Sequence, residues 1–505
     1  MKGEVVLNPD YYFIRDEDRV SLRSGRYVNK ISNSSWLSFI HPFQAYILSL
    51  FAEGEKISNV SALVSEKYNV DKSAIEEILA SYVNNETPIY TIFKSQNIQF
   101  PKNVLVDCSR ISSDKKNSYS HKRSVRLNEY LDREVDLETD RIKTAPRSLL
   151  YMITQKCRTK CNYCYADILR KNTGLSIEQI RHFILDAKNA GVEYIDIIGG
   201  EIFCHEKWDE ILSLLVELDM CPSYISTKIP LTEDEVVRLK HTGFNGQFQI
   251  SLDSTDSDKL SKIICAPLDY FNRMKNFIYH LTRYDFNPQI NTVLTSVNTS
   301  LADMDSLYEF ISTIDQVAYW EIRVPEVSIY NLTSYLKTRP SRKVLIECLE
   351  YVRKTIVPKS KFEILVSDSA LHTNLRCYDE NCTTFPGGSC GALKENMFIL
   401  PDGKVSICEQ LYWLNDFIIG DVKYQSIQEI WSSEKATNLY DNVISLYKKS
   451  EICSRCSSLQ WCAKNKRKCW VKILKAYNTM SINHPDPRCI YAPRLDKDYL
   501  TYSNK

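Results

Sequence analysis

Between residues 148 and 324 the chain repeats one pattern. Apolar runs of strand length occur at SLLYMIT (148–154), EYIDIIG (193–199), YISTKI (224–229), FQISLD (248–253), QINTVLT (289–295) and YWEIRV (319–324). Between most of them lie amphipathic stretches such as IEQIRHFILDAKNAG (177–191), WDEILSLLVEL (208–218) and MDSLYEFISTI (304–314). Six strands alternating with helices predict an α/β fold with a parallel sheet built from right-handed crossovers. Ligand chemistry then belongs at the carboxyl ends of the strands. The loop after the first strand carries KCRTKCNYCY, which places Cys157, Cys161 and Cys164 at C-x3-C-x2-C spacing.

Three thiols on one loop do not complete a structural zinc site, which takes four protein ligands and favours paired C-x2-C knuckles. They suit a cubane cluster with one iron left open. With aromatic Tyr163 before the last thiol, the motif resembles that of radical S-adenosylmethionine (SAM) enzymes. The resemblance implies a partial (β/α)6 TIM-like barrel. It further implies that the open iron binds SAM, whose cleavage yields a 5′-deoxyadenosyl radical, while the protein holds and times the cofactor. IIGGE at 197–201 is similar to the family's GGE turn, so Gly199, Gly200 and Glu201 are expected at the SAM ammonium group; Ile202 stands where the family has proline. Ser226, Ser251 and Asp253 match strand-end positions that bind the methionyl and ribose groups in that family, and Arg323 is expected at the SAM carboxylate. No residue is singled out as catalytic.

Nine more cysteines lie between 377 and 489. Cys390, Gly403 and Cys408 read C-x12-G-x4-C, Cys453, Cys456, Cys462 and Cys469 read C-x2-C-x5-C-x6-C, and Cys489 follows. This resembles the SPASM extension of peptide-modifying radical SAM enzymes, with x6 where x3 is usual. The resemblance implies two auxiliary [4Fe–4S] clusters, three in all. One is expected on Cys390, Cys408 and Cys469, with Cys382, Cys377 or an open iron completing it; the other is expected on Cys453, Cys456, Cys462 and Cys489. Two zinc ribbons are the alternative, because C-x2-C is also a zinc knuckle.

At 505 residues the chain exceeds a single hydrophobic core. A net charge of +1 gives no general case for nucleic acid or an anionic membrane. No run of about 18 apolar residues occurs and the first residues lack a signal-peptide core, so a cytoplasmic protein is expected. Seventeen cysteines then point to metal ligation in preference to disulfides, with the clustered ones as the ligands. Cys108, Cys204, Cys221, Cys265 and Cys348 stand alone and are expected as small buried hydrophobes.

Alternating positions over 5–23 suggest two or three strands. Helices are expected from Pro42, from a cap at Ser58, and over Lys72 to Val83. Residues 1–95 thus read as a winged helix, resembling the PqqD-like recognition element of ribosomally made, modified peptides, in which a leader adds an edge strand. DNA binding is the competing reading, but helix 72–84 has no arginine cluster to meet phosphates. Residues 96–146 read as a charged linker, 147–330 as the barrel, 331–385 as a connecting segment and 386–495 as the SPASM domain.

The expected activity is maturation of a precursor peptide: hydrogen abstraction followed by a cross-link, foremost a Cys thioether. Carbon–carbon or aromatic cyclophane cross-linking, or sulfatase-maturase-like Cys or Ser oxidation, stands second, and a DNA-binding iron-sulfur redox sensor is the reading from another class. The partners expected are a leader-bearing peptide and a flavodoxin or ferredoxin as electron donor, without nucleic acid or membrane.

Overall fold

The computed structural model describes residues 3–24, 36–93, 96–111, 122–130, 134–167, 170, 173–372, 390–441, 443–465 and 468–493. The chain divides into two compact units, Met1–Thr144 and Ala145–Lys505.

In the first unit β1 (Val5–Leu7), β2 (Tyr11–Asp16), β3 (Arg19–Ser24) and β4 (Leu37–Ile40) precede three helices, α1 (Pro42–Ser49), α2 (Ile57–Tyr68) and α3 (Lys72–Ser81). The strands β5 (Ile89–Phe93), β6 (Gln96–Phe100) and β7 (Leu105–Asp107) follow. The sheet order β2-β3-β4 is antiparallel, β5 pairs with β6, and β7 pairs with β1. Pro42 opens α1 behind a His41 cap, where its missing N–H costs nothing. Asp71 caps α3, but α2 begins at Ile57 without a side-chain cap, so Ser58 does not have the capping role expected of it. Phe13, Leu22, Ile40, Leu48, Phe51 and Val64 are among the residues that form the core.

Described residues between 96 and 144, in the segment expected as a linker (96–146), pack into this unit. Beyond β6 and β7, Tyr130 and Leu137 are buried in the same core. The buried Arg19 guanidinium donates to the carbonyl oxygens of Thr139 at 2.5 Å and of Arg141, and bonds Asp16 at 2.8 Å. Asp16 in turn accepts from the backbone of Lys143 and Thr144 at 2.8 and 3.0 Å. The main chain of this segment satisfies a buried ion pair, because buried charge needs both a partner and hydrogen bonds.

In the second unit the six expected strands form as β8 (Ser148–Thr154), β9 (Tyr194–Gly199), β10 (Tyr224–Thr227), β11 (Gln247–Ser251), β12 (Pro288–Val293) and β13 (Tyr319–Arg323). The remaining strands are β14 (Glu363–Ser367), β15 (Asn396–Ile399), β16 (Lys404–Ser406) and β17 (Ile418–Asp421). They build two five-stranded sheets, β10-β11-β12-β13-β14 and β17-β16-β15-β8-β9. The first sheet is parallel throughout, and β15, β8 and β9 are parallel to each other. The expected connecting segment therefore contributes β14, and the carboxyl-terminal third joins the barrel sheet through β15. Among the described residues no ladder joins β9 to β10. Ser223 instead donates its backbone N–H (2.8 Å) and hydroxyl (2.9 Å) to Asp196 of β9.

Of the isolated cysteines only Cys348 is buried; Cys265 is exposed, while Cys108, Cys204 and Cys221 are half-buried. Cys265 ends a helix at φ 54°, in the left-handed cap position.

Candidate functional site

The loop after β8 is held by its backbone. Lys160 N–H donates to Ile264 at 3.0 Å, Asn162 N–H to Ile263 at 3.0 Å, and the Asn162 amide to Lys262 at 2.7 Å. These carbonyls end the helix Ser257–Ile264, so one helix terminus fixes the loop while its own last carbonyls are satisfied. Cys157 is exposed and Cys161 and Cys164 are half-exposed. The Thr159 hydroxyl lies 3.3 Å from the Cys157 sulfur and 3.5 Å from that of Cys161. Burial pushes the Cys161 thiol up to about 12, opposed by the Lys228 ammonium, and raises Cys164 as well. Such thiols keep their protons in water and lose them when a metal centre takes the thiolate.

The turn after β9 packs directly on this loop. Gly200 N–H donates to Thr154 at 2.8 Å and Glu201 N–H to Lys156 at 2.9 Å. A Cβ on Gly200 would lie 2.5 Å from the Gln155 oxygen and 2.7 Å from that of Lys156. Here glycine permits the close approach of two backbone segments of the chain. Glu201 is buried; its Oε2 accepts from Lys228 N–H at 2.9 Å, while its Oε1 has no partner. Desolvation raises its carboxyl to about 7, against the Lys228 and Phe203 backbone and the Thr227 side chain, which favour the ionised form. Ile202 is buried below the turn in a short 3-10 segment, Ile202–Cys204.

Tyr163, Lys228 and Asp253 form a closed triangle. The tyrosine hydroxyl donates to Asp253 at 2.5 Å, and the ammonium reaches that hydroxyl at 2.6 Å and Asp253 at 3.0 Å. Asp253 is 1% exposed, and its other oxygen accepts from Val293 N–H at 3.0 Å. Burial works against the Lys228 charge, but Asp253 and the thiols of Cys161 and Cys157 outweigh it and hold the ammonium above its ordinary range. Tyr270 donates to the Lys228 carbonyl at 2.5 Å. Lys228 and Tyr270 are absent from the sequence reading; the available signal was a lysine at the end of an apolar strand run.

Ser226 pairs with Gln249 in the register, Ser251 with Asn291, and Arg323 with Val293. Two-residue spacing puts Gln289, Asn291, Glu321 and Arg323 on one face with the serines. The structure joins Arg323 to Glu321 at 2.8 Å, and Glu321 also accepts from Ser367 at 2.6 Å. Ser226, Ser251 and Arg323 line the polar face of the sheet, while Tyr163, Glu201 and Asp253 meet at the cysteine loop.

The carboxyl-terminal cysteines fall into two neighbourhoods. Burial, then Glu409, Cys390 and Cys469, push the Cys408 thiol up to about 12, opposed by a hydrogen bond from Gln410 N–H. Burial raises Cys489, with Cys453, Cys462 and Cys456 as the neighbouring sulfurs that add to it. Asp486 links the two groups: its carboxylate accepts from Cys469 N–H at 3.2 Å, its carbonyl from Cys489 N–H at 2.9 Å, and Arg488 bonds both its oxygens. Gly403, at φ +89°, turns the chain between β15 and β16 and so carries Cys408 back from Cys390. Cys377 and Cys382 lie outside the described residues.

Among the described residues no three His, Cys, Asp or Glu side chains stand close enough to share a single metal ion. Cubane thiolates each bind a different iron and need only surround a common space. The chemistry of the donors, thiols without imidazole, fits iron-sulfur clusters. The buried, unpartnered Glu201 oxygen fits a ligand ammonium.

Residues 151–311 match the Radical SAM superfamily, and residues 390–457 match SPASM, an iron-sulfur cluster-binding domain. The chain thus carries a radical SAM domain followed by a SPASM domain. Two solved structures share its fold. Streptococcus suis SuiB bound to precursor peptide SuiA is 16% identical with a TM-score of 0.57, covering 95% of this chain and 99% of that one. SuiB bound to S-adenosylmethionine is 17% identical with a TM-score of 0.57, covering 96% and 98%. In sequence, the probable GTP 3′,8-cyclase of Methanothermobacter marburgensis is 29% identical over 149 residues, 29% of this chain and 48% of that protein. The GTP 3′,8-cyclase of Campylobacter jejuni is 28% identical over 166 residues, 31% and 50%. The chain spans about half the length of the curated relatives it matches. No helix among the described residues is long and apolar enough to cross a membrane.

Proposed function

We propose that this chain is a radical SAM peptide maturase that joins a cysteine sulfur to a carbon of a ribosomally made precursor peptide. The carrying observation is the grouping of thiols in the second unit: Cys157, Cys161 and Cys164 beside Glu201, with two further cysteine neighbourhoods linked through Asp486. The cofactor at the first set would supply a 5′-deoxyadenosyl radical. Glu201 would hold the SAM ammonium through Oε1; Asp253, positioned by Lys228 and Tyr163, would meet the ribose; and Thr159 lies between two of the thiols.

Joining S–H to C–H removes two hydrogens. One leaves as the hydrogen atom taken into 5′-deoxyadenosine; the other leaves as a proton and an electron. That electron needs an acceptor, which is the purpose assigned to the auxiliary cysteine sets. The SuiB complex with its precursor peptide supports a peptide substrate for this fold, and the first unit is assigned to the leader as a PqqD-like element. A flavodoxin or ferredoxin would return the electron that starts each turnover.

The test is anaerobic turnover of the reconstituted chain with a leader-bearing peptide containing cysteine. A product lighter by two hydrogens with one alkylatable thiol lost supports the thioether. Loss of two hydrogens with every thiol retained would replace it by a carbon–carbon or cyclophane link. Replacing Cys157, Cys161 and Cys164 by Ala abolishes 5′-deoxyadenosine formation while the auxiliary iron stays; continued SAM cleavage by that variant would overturn the site.

A further inference from the structure

One residue bridges the two auxiliary cysteine neighbourhoods. Lys468 is 9% exposed, and its ammonium lies 3.2 Å from the Cys453 sulfur. The same ammonium sits 3.8 Å over the Tyr447 ring and 5.8 Å from that of Trp470. Its backbone N–H donates to the Tyr447 hydroxyl at 3.2 Å, so the side chain and the main chain of Lys468 are fixed by one buried tyrosine. The next residue, Cys469, belongs to the other neighbourhood and is anchored to Asp486. A dipeptide thus places a cation on one thiol set and a ligand in the other.

We propose that Lys468 raises the reduction potential of the cluster held by Cys453, Cys456, Cys462 and Cys489 above that of the cluster at Cys390, Cys408 and Cys469, and so directs the substrate's electron outward. This rests on the cluster reading above. The physical reason is that a charged N–H donor on a cluster sulfur stabilises the more negative, reduced state. Aromatic faces hold the ammonium by cation–π attraction while shielding it from water, which keeps its field strong at the sulfur. The other set has the Glu409 carboxyl beside Cys408, and any negative charge there acts in the opposite direction. Lys475 also feels Cys469 and Cys408 electrostatically, and Glu326, 3.5 Å from its ammonium, offsets its charge. With clusters held at both sets, the step would be a one-electron transfer that oxidises the one at Cys390, Cys408 and Cys469 and reduces the one at Cys453, Cys456, Cys462 and Cys489. An external acceptor of the flavodoxin or ferredoxin class would remove the electron.

The test is a potentiometric titration followed by electron paramagnetic resonance, on the full chain with Cys157, Cys161 and Cys164 replaced by Ala so that only auxiliary clusters respond. Lys468→Met should lower the midpoint of one auxiliary signal by about a tenfold change in its redox equilibrium, which is 59 mV for one electron. Lys468→Arg should restore most of it, and the other signal should move much less. Unshifted potentials at full iron content, or equal shifts of both signals, overturn the proposal. If Lys468→Met loses iron, Lys468→Gln is titrated instead, and unshifted potentials there overturn it equally. Failure of the cluster reading is visible beforehand, in the unsubstituted chain: zinc with about four irons in place of about twelve.

Discussion

The Lys228 ammonium stands 3.0 Å from the Asp253 carboxylate, with lysine and aspartate side chains 14% and 1% exposed. A pair this buried is costly to break from one side, because the remaining Asp253 charge keeps only the Tyr163 hydroxyl and Val293 N–H and loses its counter-charge where water is excluded. Lys228→Met should destabilise the metal-free chain by about 3 kcal/mol. Adding Asp253→Asn should recover most of the loss. Urea unfolding followed by tryptophan fluorescence checks both; equal stability of the single variant and the parent refutes the pairing as a stabilising contact.

Gly200→Ala should displace the cysteine loop. The new methyl would meet two backbone oxygens inside 3.0 Å, and backbone cannot swing aside as a side-chain end can. Overpacking of this kind costs roughly 1 to 3 kcal/mol. The specific expectation is a loss of about four irons from the reconstituted protein with the auxiliary signals unchanged. Full iron content and normal SAM cleavage in the variant would contradict it.

Glu201 gives a pH signature. Its carboxyl is raised from 4.5 to about 7 in the folded chain, mainly by desolvation. The folded state therefore binds this proton more tightly than the unfolded one. Its contribution to stability is full below 4.5 and is lost as pH rises through about 7. Glu201→Gln does not titrate, so its stability relative to the parent should climb by roughly 3 kcal/mol between acid and mildly alkaline conditions. Thermal unfolding of both metal-free chains across that range measures the difference; parallel curves would show that Glu201 ionises freely.

Truncation should respect the boundary between Thr144 and Ala145. A chain beginning at Ala145 is expected to cleave SAM without substrate yet to fail on a leader-bearing peptide, since lost capture removes binding common to ground and transition states. One beginning near residue 100 leaves Leu105, Tyr130 and Leu137 without their core and should aggregate. Equal modification by the Ala145 chain and the full chain would remove the leader-binding role.

The parallel strands were legible because each carries its own apolar run, and the Cys157 loop because its ligands are local in sequence. β14 was missed since EILVS is only partly buried and reads as an ordinary surface segment. β15 was missed because its partner is β8, almost 250 residues away by number, and long-range pairing leaves no local mark. The 96–146 segment is hard to read for a related reason: its composition looks solvated, and nothing local shows that its main chain meets the buried Asp16–Arg19 pair. Lys228 and Lys468 share this limit, as a lone lysine in sequence reads as surface.

The parting of the two sheets between β9 and β10 has a mechanical consequence. Besides one main-chain bond, Ile195 N–H to Met220 at 3.2 Å, side-chain carboxylates close it, Asp196 through Ser223 and Glu201 through the Lys228 amide, where a ladder of main-chain bonds would otherwise run. A joint of two acidic rivets is more compliant than a strand pair, and one rivet is the residue assigned to the SAM ammonium. Loading that residue would stiffen the seam, so amides flanking it should exchange with solvent more slowly once the barrel is charged, a local tightening transmitted through a single glutamate.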